Sequence, residues 1–90
     1  MRTHDLGEET LEALLRRLRR IEGQIRGLQK MIAEGRACDE VLTQMTAAKR
    51  AMESAAAYFL KEYVAACATE VAAGDAEALD KISEALKKYP

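Results

Sequence analysis

Cys38 and Cys67 are the only two thiols in the chain. As thiolates, such side chains attack sulfur and carbon electrophiles and bind soft metal ions. The imidazole inventory is a single residue, His4, near the N-terminus. Tyr63 lies four residues before Cys67, so both side chains share a face if the segment is helical. A phenol is a poor ligand for Cu(I) or Zn(II), so a metal site here offers two thiolates and no well-placed nitrogen. The second chemistry is cationic. Residues 16–36 hold Arg16, Arg17, Arg19, Arg20, Arg26, Lys30 and Arg36 against only Glu22 and Glu34, a local balance of +5. Arginine clusters of this kind bind phosphate. No Ser/His/Asp grouping, paired-carboxylate cleft or glycine-rich phosphate loop can be assembled, so nothing argues for an enzyme.

Helices must position these groups. Ala, Leu, Glu, Lys and Arg dominate, with one Pro and 4% aromatics, which favours an all-α fold of three helices, two long and one short. The first helix is predicted over residues 6–34. Its stripe is Leu11, Leu14, Leu15, Leu18, Ile21, Ile25, Leu28 and Ile32, stepping by three and four, and Gly35 suits its C-cap. The second is predicted over 39–73, with Asp39 as the candidate cap. Its seam is Val41, Met45, Ala48, Met52, Ala55, Phe59, Tyr63 and Ala66. Gly74 and Asp75 break the chain again, and a third helix over 76–88 puts Leu79, Ile82 and Leu86 on one face. The last residues, Lys87 to Pro90, are expected to fray. Residues 1–90 read as one helical domain.

A helix of about 30 residues spans about 45 Å. Two of them make a hairpin rather than a globule, and the simplest way to bury its seams is a four-helix bundle of two antiparallel hairpins. On one continuous helix the two thiols stand about 43 Å apart and cannot meet. In an antiparallel copy, the start of one helix lies beside the end of the other, so Cys38 of one chain faces Cys67 of the next. Each cysteine also reads as a buried small hydrophobe, Tyr63 as a core filler, and His4 as incidental in a flexible leader. Cys38 stands at a helix start, where the dipole favours a thiolate.

The net charge is only −1, so it is the placement of the arginines, not their total, that suggests a phosphate partner. No aromatics interleave with them, which disfavours stacking on single strands, and no helix-turn-helix, ribbon or zinc-finger pattern is present. A plain solvated helix face is the alternative. No apolar run reaches about 18 residues and the leader has no apolar stretch, so the expectation is no membrane partner, a cytoplasmic location and reduced thiols.

The run Arg-Arg-Leu-Arg-Arg-Ile-Glu-Gly-Gln-Ile-Arg-Gly-Leu at 16–28, Cys-Asp-Glu-Val-Leu-Thr-Gln at 38–44 and Ala-Ala-Lys-Arg-Ala at 47–51 resemble the CsoR/RcnR family of small all-helical repressors. The resemblance covers roughly residues 8–70. It implies a homotetramer, a dimer of antiparallel hairpin dimers, that binds double-stranded operator DNA through basic residues of the first two helices. On this sequence those are Arg16, Arg17, Arg19, Arg20, Lys49 and Arg50. It also implies a ligand site between subunits at Cys38 and Cys67 whose occupation releases the DNA.

Copper sensors of that family place Cys, His and Cys where this chain has Cys38, Tyr63 and Cys67. The persulfide-sensing CstR-like branch keeps both cysteines and lacks the histidine, which is the pattern here. The resemblance therefore implies persulfide or polysulfide donors as inducers, a di- or polysulfide link between Cys38 and Cys67, Tyr63 in the histidine's place, and no cofactor. The alternative is a Cu(I)-responsive repressor using the same two cysteines. A helical scaffold without a DNA partner is the second alternative.

Overall fold

The apolar rows produce two long helices and one short one in a computed structural model that describes residues 1–89: a 3-10 turn at Thr3–Leu6, α1 at Glu8–Ala33, α2 at Cys38–Ala72 and α3 at Glu77–Lys88. No strand occurs among the described residues, and the fold is all-α. The expected spans of 6–34, 39–73 and 76–88 shift by one or two residues at their ends. Of the expected frayed tail, Lys87 and Lys88 belong to α3, and Pro90 lies outside the described residues. No helix among the described residues is long and apolar enough to cross a membrane.

The leader, expected to be flexible, forms an ordered turn. The backbone N–H of Arg2 donates to the Asp5 carboxylate at 2.8 Å, and the turn packs on both α1 and α2. α2 starts at Cys38 itself, with Ala37 in the cap position and no side-chain cap. Asp39, expected to cap, is already inside the helix, where its carboxylate accepts from the Glu40 N–H at 3.0 Å.

Both long helices end alike. Gly35 (φ 71°) donates to Ile32 O at 3.2 Å while Arg36 donates to Met31 O at 3.0 Å. Gly74 (φ 105°) donates to Val71 O at 3.0 Å while Asp75 donates to Glu70 O at 3.0 Å. This is the Schellman arrangement, which needs a left-handed residue after the helix. Asp75 then accepts from the Glu77 N–H at 3.1 Å and starts α3. Gly74→Ala puts a Cβ into that conformation at a cost of about 1–2 kcal/mol, and the urea midpoint falls accordingly. Gly23→Ala, at a mid-helix position where a Cβ meets nothing within 4 Å, raises the midpoint instead.

The hairpin core uses only half of each expected stripe. Leu14, Ile21 and Leu28 of α1, seven residues apart, bury against Ala48 and Ala55 of α2, also seven apart. The other half stays open: Leu18, Ile25 (44% exposed) and Ile32 on α1, Met45 and Met52 (50% exposed) on α2. Small residues on α2 let the helices approach closely, but they leave this second row with nothing to cover it. On α3 the buried positions are Ala78 and Ala85, with Lys81 and Ile82 half-buried. Leu79 and Leu86, expected to share a face with Ile82, are exposed, because the two alanines dock α3 close to α2. The result is a plank of 57 × 27 × 13 Å with a radius of gyration of 17.3 Å, against about 12 Å for a globule of this length.

Candidate functional site: two thiols and a basic face

Cys38 is the first residue of α2 and is exposed; Cys67 lies near the other end of the same unbroken helix and is fully buried. Their separation of about 43 Å follows from the helix rise, so one chain cannot join them. Cys67 belongs to the row Leu60, Val64, Cys67 and Val71, spaced by four, three and four, which faces α3. Its burial is therefore the work of α3 docking through Ala78 and Ala85. In the single chain it fits the reading of a buried small hydrophobe, whereas Cys38 does not.

Tyr63, one turn before Cys67, is half-buried beside that thiol. Burial first, then the neighbouring Cys67, push its phenol above the ordinary 10.0; Lys81 lowers it by less, and Glu70 adds the smallest raise. The side chain is thus a neutral hydroxyl, not a phenolate ligand. Glu70, one turn beyond Cys67, holds a buried Oε2 without a hydrogen bond; its nearest counter-charge is Lys81 Nζ of α3 at 4.0 Å. His4 sits exposed in the 3-10 turn. No group of three or more His, Cys, Asp or Glu gathers among the described residues of one chain. The donor chemistry that remains, two thiols, suits a soft monovalent ion, provided two copies contribute.

The predicted DNA-facing residues Arg16, Arg17, Arg19, Arg20, Lys49 and Arg50 are all exposed. Arg26 and Arg36 are neutralised by Glu22 at 3.0 Å and Glu40 at 2.7 Å, but Arg16, Arg19 and Arg20 make no ion pair among the described residues. Arg20 lies four residues after Arg16 and three after Arg17, so the three border one face of α1. Arg17 is held there by α2: its Nη1 donates to Ser54 Oγ at 3.2 Å and its guanidinium lies 4.7 Å from the Tyr58 ring centroid. Arg50, one turn before Ser54, joins this face. Lys49 does not. It shares a row with Leu42, Ala56 and Tyr63, and the last two line an apolar groove of about 530 Å³ with Leu14, Leu18 and Met52. Arg19 turns toward the Arg26 row.

Sequence reasoning missed Ser54 and Tyr58. The signal was available, because Arg17 and Ser54 are equidistant from the Gly35–Arg36 turn and so lie opposite each other in the hairpin.

The family described as "Metal-sensitive transcriptional repressor" matches residues 10–88. The copper-sensing transcriptional repressor RicR of Mycobacterium tuberculosis is 45% identical over 71 residues, covering 78% of this chain and 74% of that protein. The copper-sensing transcriptional repressor CsoR of Bacillus subtilis is 34% identical over 80 residues, covering 87% and 79%. Among solved structures, the nickel-responsive transcriptional regulator InrS superposes with a TM-score of 0.79 at 38% identity, covering 89% of this chain and 92% of that one. These relatives are regulators, in keeping with the absence of any enzyme constellation from the sequence. They also overturn the expectation that the chain works without a cofactor, since the matched family responds to metals and the named relatives sense copper or nickel. They lend no support to the CstR-like branch. The match over residues 10–88, together with the two relatives at 45% and 34% identity, places this chain in the family of metal-sensitive transcriptional repressors.

Proposed function

We propose that the chain is a Cu(I)-responsive repressor that binds double-stranded operator DNA in the cytoplasm as a homotetramer, a dimer of hairpin dimers. Residues 1–90 act as one helical domain. The observation that carries the reading is the donor set: two thiols at opposite ends of one helix, with no group of three or more His, Cys, Asp or Glu gathered among the described residues. Two thiolates satisfy a soft monovalent ion, and the two copper-sensing relatives agree in kind.

An antiparallel second copy covers the open row of Leu18, Ile25, Ile32, Met45 and Met52 and brings each Cys38 to the Cys67 end of its neighbour. Cu(I), if bound, would be held by Cys38 of one copy and Cys67 of the other, which would supply the thiolate ligands that a soft ion prefers. Cys67 is closed by α3 in the single chain, so access to its sulfur would require the α2–α3 contact to open. That is the two-state element that a ligand biases. In the resting shape Arg16, Arg17, Arg20 and Arg50 meet phosphates, with Arg17 pre-set by Ser54 and Tyr58. Arg19 and Lys49, on the flanks, reach DNA only through neighbouring copies.

The test is fluorescence anisotropy on an operator duplex across a salt series, with and without Cu(I) delivered from a competing chelator. Affinity falls steeply with salt, and Cu(I) weakens it at fixed salt. A persulfide donor, run in parallel, leaves it unchanged. If Cu(I) binds but the DNA stays bound, copper sensing is wrong; if DNA never binds, the scaffold alternative stands.

A further inference from the structure

Three arginines of the hairpin are held by side chains, and Arg17 is held differently from the other two. Arg26 and Arg36 are gripped by carboxylates, Glu22 at 3.0 Å and Glu40 at 2.7 Å, so the contact that orders them also cancels their charge. Arg17 is gripped by neutral groups of α2. The Ser54 hydroxyl accepts from its Nη1 at 3.2 Å, and the ring of the half-buried Tyr58 has its centroid 4.7 Å from the guanidinium. No carboxylate pairs with Arg17 among the described residues. None is in reach on its own helix, because the positions three and four away are Ala13, Leu14, Arg20 and Ile21. Ordering a long side chain without neutralising it removes in advance the rotamer freedom that binding would otherwise cost. The contact to Ser54 also selects an edge. It engages Nη1 and leaves Nε and Nη2 without a partner among the described residues. Those N–H groups point the same way along one side of the guanidinium plane. Arg36 shows what that side does: its Nε and Nη2 both donate to Glu40 Oε2, at 3.0 and 2.7 Å.

We infer that Ser54 and Tyr58 are positioning residues that make Arg17 a fixed two-pronged fork, whose free Nε and Nη2 edge grips a backbone phosphate of duplex DNA. The inference rests on the DNA-binding reading above and goes past it: at Arg17 the shape of the cation matters, whereas at Arg16 and Arg20, which no side chain braces, only the charge does. Lysine carries the same charge on a single ammonium centre, which offers no parallel pair of donors and does not lie flat on a ring. A guanidinium held against α2 is not free to extend into a groove toward a base edge, so its partner is phosphate, the contact that sets register rather than sequence. Both braces come from α2 while the arginine comes from α1, so the fork exists only while the hairpin keeps its register.

The experiment titrates the full chain, without metal, into a labelled random-sequence duplex of about 30 base pairs across a chloride series, since phosphate contacts are independent of sequence. Arg17→Lys loses about tenfold in affinity at every salt concentration with the salt slope unchanged, because the charge stays and the fork goes. Arg17→Gln loses more and lowers the slope by about one for each phosphate no longer neutralised. Tyr58→Leu and Ser54→Ala each lose about two- to fivefold, again at constant slope. Tyr58→Phe, which restores the ring, binds like the wild type, and so does Arg20→Lys, the unbraced control. A merely structural role for Tyr58 would not single out the ring in this way. Ser54 is exposed, so Ser54→Ala keeps the test decisive if Tyr58→Leu misfolds. Inorganic phosphate, matched in ionic strength with chloride, does not displace the duplex. Displacement from the wild type but not from Arg17→Lys would assign the fork to free phosphate and overturn the inference. Arg17→Lys at wild-type affinity, or brace variants that bind like the wild type, overturns the fork while leaving DNA binding intact. A wild type that binds no duplex overturns both together.

Discussion

Cys38→Ala binds operator DNA as tightly as the wild type but no longer releases it when Cu(I) is added. Cys38 is exposed at the first residue of α2, so shortening it removes no core packing and leaves the arginine face untouched. What it removes is one of the only two thiols. A coupling between ligand and DNA of ordinary size, about 1–3 kcal/mol, appears as a 5- to 150-fold loss of operator affinity in the wild type. In Cys38→Ala that ratio falls to about one. Cys67→Ala gives the same loss of response with an added stability cost, because Cys67 is fully buried under α3 and its removal leaves a small void. Anisotropy titrations on all three proteins, with and without Cu(I), measure the effect. DNA release by Cys38→Ala under Cu(I) would refute a dithiolate sensor. Mass spectrometry after treatment with a persulfide donor supplies an independent check: chains joined through Cys38 and Cys67 with added sulfur atoms would return the inducer to reactive sulfur.

Ile25→Glu separates assembly from DNA contact. In the single chain Ile25 is 44% exposed and lies outside the hairpin core of Leu14, Ile21 and Leu28, so the substitution spares the fold of one chain. In an antiparallel pair the same position is buried, and an unpaired carboxylate there costs several kcal/mol. Sedimentation should therefore show Ile25→Glu falling to the 10.0 kDa single chain, together with the loss of operator binding and of the Cu(I) response. Arg20→Glu is the contrast. It leaves the assembly intact, weakens DNA binding for every sequence and lowers the salt slope by about one for each phosphate that is no longer neutralised. An Ile25→Glu protein that keeps the wild-type mass would show that the open apolar row is not the interface.

The helices were legible because their signals are local. Gly35 and Gly74 stop α1 and α2 where the apolar spacing stops, and both adopt the left-handed conformation that ends a helix. The leader was misread because its order comes from packing on α1 and α2, which no local pattern records. Which face of α3 packs was not legible for a related reason. Leu79 and Leu86 carry the apolar signal, but docking distance against α2 is set by Ala78 and Ala85, so small residues won over large ones. The arginines were legible as a cluster; that Arg17 is braced by Ser54 and Tyr58, and that Lys49 sits on the apolar side, depends on hairpin register.

By itself the sequence determined three helices, a long hairpin, two thiols at opposite ends of one rod and an excess of arginine on α1, because composition and periodicity act over a few turns. The tertiary structure decided which half of each stripe is core, that Cys67 is sealed by α3 while Cys38 is open, and that Tyr63 lies with Glu70 and Lys81 around the sealed sulfur. Those facts arise from how helices distant in sequence press together, and burial and charge at a site are sums over neighbours that a linear pattern does not name.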